Sequence, residues 1–202
     1  MINDKYKCIF IHVNKCGGTT IDKVFNKKHC GHKTILHYKK RYPQKFDSYF
    51  KFSFTRNPWD KMVSFYHYHI KRGWDLNWDW DESNAPSFQD FIKIINNYSK
   101  EKEASIFPNL SETTIQMRMS DHIEWMCDES GNLLVDFIGK LENFQTDFDY
   151  ICDQIKMPRI KLPHKNKSKH KHYTEYYDEE TKQMVAEKFA KDIEYFGYKF
   201  EQ

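Results

Sequence analysis

The chain has 202 residues, with 32 Lys and Arg against 29 Asp and Glu and a net charge of only +3. That length buries a real core within one domain. The near balance of charge does not argue for a general nucleic-acid binder, so any basic site must be local. Five cysteines without CxxC spacing argue against a disulfide framework or a structural zinc, and favour a reducing compartment.

No apolar run approaches the roughly 18 residues of a membrane span. The first strand is predicted to begin almost at Met1, which leaves no room for a signal peptide. The expectation is a soluble, cytoplasmic protein. Aromatics, 17% of the chain, carry much of the core, because Leu, Val and Ala are sparse.

Residues 7–13 are mostly apolar and read as a strand covered on both faces. The strand runs into Asn14-Lys15-Cys16-Gly17-Gly18-Thr19-Thr20, ahead of a helical pattern starting at Ile21. That arrangement builds an anion cradle. Glycines allow close backbone approach, loop and helix N–H groups point at the anion, and the helix dipole adds positive potential. Ile21, Val24 and Phe25 supply the helix stripe, which ends near Lys27 and Lys28. Residues 29–48, rich in His, Lys and Tyr, read as loop with room for one short helix. Residues 50–55 form a second strand. Arg56 follows at the turn, Asn57 is an N-cap, and Pro58 opens a helix that continues to about Lys71. Two phosphate-type sites on one chain point to a ligand with phosphates at two ends.

Gly73, Trp74, Trp78, Trp80 and Pro86 break the pattern over 72–87. Ser87 caps a predicted helix over 88–98. The stretch 99–132 resists reading, apart from a helical pattern over 115–126 and a turn at Gly131-Asn132. Leu133 to Leu141 is predicted as a third strand, 144–155 as a helix ended by Pro158, and about 178–195 as a last amphipathic helix. Residues 159–172 are a basic stretch without apolar period. Strands separated by helices predict an α/β fold. The expected architecture is a single P-loop-like domain, residues 1–202, with a central, mainly parallel sheet flanked by helices.

The motifs resemble those of sulfotransferases that use 3′-phosphoadenosine 5′-phosphosulfate (PAPS). Residues 10–21 are similar to the 5′-phosphosulfate loop of Golgi-type carbohydrate sulfotransferases and their small soluble microbial relatives. Arg56 to Tyr66 is similar to the family's 3′-phosphate motif. Further matches are Asp136 to Glu142, Asn166-Lys167-Ser168, Tyr173 to Asp178, and Asp192 to Tyr198. Two departures stand out: Asn14 replaces the usual proline, and Cys16 replaces a threonine.

The resemblance implies a sulfuryl transfer from PAPS to an acceptor hydroxyl, by analogy on a carbohydrate, with no metal. Lys15 would neutralise charge on the leaving phosphate. Cys16, Gly17, Gly18, Thr19 and Thr20 would line the phosphosulfate. Arg56 and Ser64 would hold the 3′-phosphate, arginine by its fork. The base is expected at His32, or alternatively His37, since histidine suits proton transfer near neutral pH. His12 reads as a core histidine. A zinc site from His29, Cys30, His32 and His37 matches no common ligand spacing. Ser168 and Lys169 are candidates to close over the nucleotide, against a solvated loop. Trp74, Trp78 and Trp80 either line the acceptor site or pack a core or lid.

Two rival readings remain. A P-loop phosphoryl-transfer enzyme needs GxxxxGK[ST], with lysine after the glycines, whereas Lys15 precedes them. A catalytically inactive nucleotide-binding module would bind the bisphosphate without activity.

Overall fold

The computed structural model describes residues 1–27, 31–72, 85–101, 119–163 and 171–201. They fall into two compact units, Met1–Arg56 with His122–Lys167, and Asn57–Asp121 with Ser168–Gln202.

The first unit is built on a four-stranded sheet of β1 (Ile2–Asn3), β2 (Cys8–Ile11), β3 (Phe50–Thr55) and β4 (Phe137–Lys140), in that order. The last three are parallel, and β1 adds an antiparallel edge that the sequence pattern does not reveal. Every residue of β2 is buried, as expected for a strand covered on both faces. Phe10 stacks on Phe52 at 5.2 Å, and Phe54 meets Phe144 edge-on at 4.8 Å. Burying one such ring contributes about 1.5–3 kcal/mol. Gly139 is glycine for space, because a Cβ there would sit 2.4 Å from Phe54 Cε1.

Register places the carboxyl ends of β2 and β3 side by side. Ile11 pairs with Ser53, and the Ser53 hydroxyl donates to the Ile11 carbonyl at 2.8 Å. The loops that leave these two strands therefore start as neighbours. In open parallel sheets that is where ligands bind.

Helices α1 (Gly18–Val24), α2 (Ile35–Arg41) and α3 (Pro43–Ser48) connect β2 to β3, and α6 (Phe144–Gln154) follows β4. The loop expected over 29–48 thus carries two helices. Their apolar stripes are only Ile35 with Tyr38, and Phe46, too short to register as periodicity. Pro43 opens the second of them. Strand β4 is shorter than predicted. The Asp136 carboxylate takes the Lys51 N–H at 2.7 Å, and regular pairing begins only after it. The described end of the helix expected over 115–126 is a 3-10 turn, Ile123–Trp125. The Gly131-Asn132 turn is present, with Asp128 accepting the N–H groups of Ser130 and Asn132.

The second unit packs α4 (Pro58–Arg72), α5 (Phe88–Glu101), α7 (Glu179–Lys188) and α8 (Ala190–Phe196). Trp59, Phe65, Phe91, Ile95, Val185 and Phe189 form the centre of its core. Asn57 caps α4 through its Oδ1, 3.0 Å from the Trp59 nitrogen, and Ser87 caps α5 through the Asp90 N–H at 3.1 Å. The single helix expected over 178–195 is two helices. The break falls at Phe189 (φ −113°, ψ 34°), which is fully buried beneath the Lys61 ammonium at 4.4 Å. Anchoring that ring under a buried cation turns the chain where continuous helix would carry it past.

Among the described residues no helix is long and apolar enough to cross a membrane. Among the described residues Cys8, Cys16, Cys127 and Cys152 are thiols outside any disulfide. Burial pushes Cys8 up to about 12 and Cys152 up to about 11, so both stay protonated and inert at neutral pH.

Candidate active site

The Asn14–Thr20 segment leaves the carboxyl end of β2 and enters α1. Its backbone is unusual at two positions. Lys15 (φ 61°) and Gly17 (φ 77°) are both left-handed. Glycine takes that conformation freely, whereas a lysine gives up about 1–2 kcal/mol to do so. The Lys15 carbonyl is gripped by Arg56, whose Nη1 donates to it at 3.2 Å. The two sequence-predicted loops are thus directly joined within the first unit.

The glycines serve a purpose the sequence pattern does not show. A Cβ on Gly17 would lie 2.8 Å from Phe144 Cζ, and one on Gly18 would lie 1.9 Å from His12 Nε2. Both glycines make room for protein side chains that hold the loop down. Gly18→Ala must displace the buried His12 ring. Overpacking of this kind costs about 1–3 kcal/mol, and a lowered midpoint in urea denaturation, at unchanged slope, checks it.

Helix α1 begins at Gly18, ahead of the predicted Ile21, and Gly17 is its N-cap without a side-chain bond. The Thr20 N–H donates to the Gly17 carbonyl at 2.9 Å, so Thr20 has its hydroxyl to offer rather than its N–H. Thr19 is exposed, and its N–H and that of Gly18 belong to the first turn, where no intrahelical acceptor exists. Lys15 and Gly17 are half-buried. Cys16 is 1% exposed, and its thiol donates to the Asn14 carbonyl at 3.3 Å. The Cys16 sulfur is therefore engaged within the protein.

His32 is half-buried, and its Nδ1 stands 2.9 Å from the His12 carbonyl oxygen. A carbonyl only accepts, so Nδ1 carries the proton and, in the neutral ring, Nε2 holds a lone pair. The ring is also held edge-on by His12 at 4.5 Å and by Trp125 at 6.2 Å. His37 is exposed on α2. Desolvation first, then the charges of Lys33, the N-terminus and Arg41, hold its imidazolium below the usual histidine range. His12 is a core residue as expected. It is 4% exposed, stacks on Phe10, and pairs with Asp22 at 3.4 Å.

Ser64 lies half-buried on α4 in the second unit. His29, Cys30, Trp74, Trp78, Trp80, Ser168 and Lys169 lie outside the described residues. No group of three or more metal-ligating side chains occurs among the described residues.

One residue of the site escaped the sequence reading. His122 is fully buried, with Nδ1 2.8 Å from Thr55 Oγ1 and Nε2 3.6 Å from Cys16 Sγ. It lies in the stretch 99–132, and nothing local marks it.

A protein-family model described as "Sulfotransferase family" matches residues 1–199. An uncharacterized protein of Archaeoglobus fulgidus is 30% identical over 113 residues, 56% of this chain and 72% of that protein. No solved structure matches the chain significantly.

Proposed function

Because this chain belongs to the sulfotransferase family, and is thereby a transferase of sulfuryl groups, we propose that PAPS is its donor and a hydroxyl, on a carbohydrate, its acceptor. The whole chain, residues 1–202, acts as one sulfotransferase domain. The donor set fits a phosphosulfate: a lysine, first-turn N–H groups and an exposed threonine hydroxyl. The observation that carries the reading is the Arg56 bond to the Lys15 carbonyl at 3.2 Å. It joins the two loops that resemble the family's phosphate motifs.

In the proposed reaction the acceptor oxygen attacks sulfur in line. The bond from sulfur to the bridging oxygen breaks, and adenosine 3′,5′-bisphosphate leaves. Lys15 neutralises the charge that builds on the departing phosphate, with the N–H groups of Gly17, Gly18 and Thr19 beside it. His32 takes the acceptor proton at Nε2, which the His12 carbonyl keeps available by holding the proton on Nδ1. Arg56 takes the 3′-phosphate. Ser64, Ser168 and Lys169 are assigned to the nucleotide by resemblance to the family motifs alone.

Calorimetric titration with adenosine 3′,5′-bisphosphate tests the donor. The wild type is expected to bind. Arg56→Ala is expected to weaken binding about 10- to 150-fold, the loss of a charge-assisted contact. A wild type that does not bind overturns the assignment, and a magnesium-dependent phosphoryl transfer would replace it. Labelled PAPS offered with a library of glycans and small alcohols then identifies the acceptor.

A further inference from the structure

We propose that His122 is a positioning residue that locks the donor loop to the end of β3 and so presets the Lys15 backbone for the phosphosulfate. The proposal rests on the PAPS reading above and goes beyond it, because His122 belongs to neither phosphate motif.

The geometry runs in one direction. The Thr55 hydroxyl lies 2.8 Å from Nδ1 of His122, Nε2 lies 3.6 Å from Cys16 Sγ, and Sγ lies 3.3 Å from the Asn14 carbonyl. The terminal carbonyl can only accept, so the thiol proton points to Asn14. The sulfur then accepts from Nε2–H, which leaves Nδ1 to accept from Thr55. Each group donates once along the chain, and a neutral imidazole satisfies it. Head-to-tail bonds in a buried site polarise one another, so losing one link weakens the rest.

Two members of this chain lie next to residues of the candidate site. Thr55 precedes Arg56, and Cys16 follows Lys15. Arg56 already holds the Lys15 carbonyl. His122 ties the residue before Arg56 to the residue after Lys15, which adds a second crosslink beside the left-handed Lys15. The arrangement also accounts for the departure at Cys16. A thiol is long and polarisable enough to reach both Asn14 and an imidazole 3.6 Å away.

The test measures bisphosphate affinity by calorimetry, and amide hydrogen exchange without nucleotide, for wild type, His122→Phe, His122→Gln, Cys16→Ala and His122→Phe/Cys16→Ala. His122→Phe is expected to lose about tenfold in affinity, as for one ordinary buried hydrogen bond. It is expected to speed exchange at residues 14–18 while the β3 amides stay protected. His122→Gln, which keeps an N–H near the position of Nε2, should recover most of the affinity. The double variant should be no weaker than His122→Phe alone, because both changes cut one chain. Wild-type affinity in His122→Phe, equal losses in Phe and Gln, or strictly additive losses would each overturn the proposal. If His122→Phe does not fold, His122→Gln and Cys16→Ala carry the same comparison of loop exchange. If the wild type binds no bisphosphate, the PAPS reading falls, and loop exchange alone decides the role of His122.

Discussion

Replacing His32 with alanine is expected to lower kcat for sulfuryl transfer by about 10²–10⁴-fold, the usual contribution of a positioned general base. Bisphosphate affinity should hardly change. The asymmetry follows from where the ring sits. His32 is anchored through Nδ1 to the His12 carbonyl and flanked by the His12 and Trp125 rings. None of those contacts involves Lys15 or Arg56. In the wild type kcat/KM should rise with pH along an ascending limb, as the base loses its proton. That limb should vanish in His32→Ala. His37→Ala serves as the control. Its side chain is exposed on α2, edge-on to its neighbour Tyr38 at 5.4 Å. It should keep near wild-type turnover. Full turnover by His32→Ala, with a matching loss in His37→Ala, would move the base to His37.

How far the sequence could be read depended on the range of the interaction. The strand-to-loop-to-helix order around Lys15 and around Arg56 is local, and both strands appear where apolar patterning puts them. The caps at Asn57 and Ser87 are local too, each a side chain bonding two or three residues on. What pattern could not supply was contact between distant segments. Gly17 and Gly18 read as a cradle for a ligand, yet the space they leave is taken by Phe144 and His12. Only the packed structure distinguishes glycine for an anion from glycine for a neighbouring ring. His122 meets Cys16 across 106 positions and Thr55 across 67, and no periodicity encodes such a meeting. The break at Phe189 has the same origin. The helical pattern runs through it, and tertiary burial of one ring under Lys61 overrides it.

The departures at Asn14 and Cys16 acquire a meaning from this packing. A proline before the lysine would stiffen the loop through its own ring. Here the Cys16 thiol bonded to the Asn14 carbonyl closes the same short turn, and His122 braces it from behind. Stiffness supplied by one covalent ring is replaced by stiffness spread over the Cys16, His122 and Thr55 side chains. The loop is therefore expected to respond to substitutions remote in sequence.

Lys15 offers the sharpest separation of stability from function. Lys15→Gly and Lys15→Met both remove the ammonium, and both are expected to lower kcat about 10²–10³-fold, as loss of one donor to a developing oxyanion does. Their effects on folding should differ. Lys15 sits at φ 61°, a conformation that glycine adopts without steric cost. Lys15→Gly should therefore match or exceed the wild type in stability, with relief of about 1–2 kcal/mol set against the greater freedom of glycine in the unfolded chain. Lys15→Met keeps the backbone cost and should melt close to the wild type. A residue that tolerates a strained backbone, when glycine would relieve it, is retained for its side chain. Thermal denaturation and turnover measured on the same three proteins decide the matter. If Lys15→Gly keeps wild-type turnover, the ammonium has no part in the transition state, and the charge on the leaving phosphate must be met elsewhere. If Lys15→Gly is instead markedly less stable, the lysine side chain itself braces the loop, and the loss of activity would then reflect a misplaced cradle.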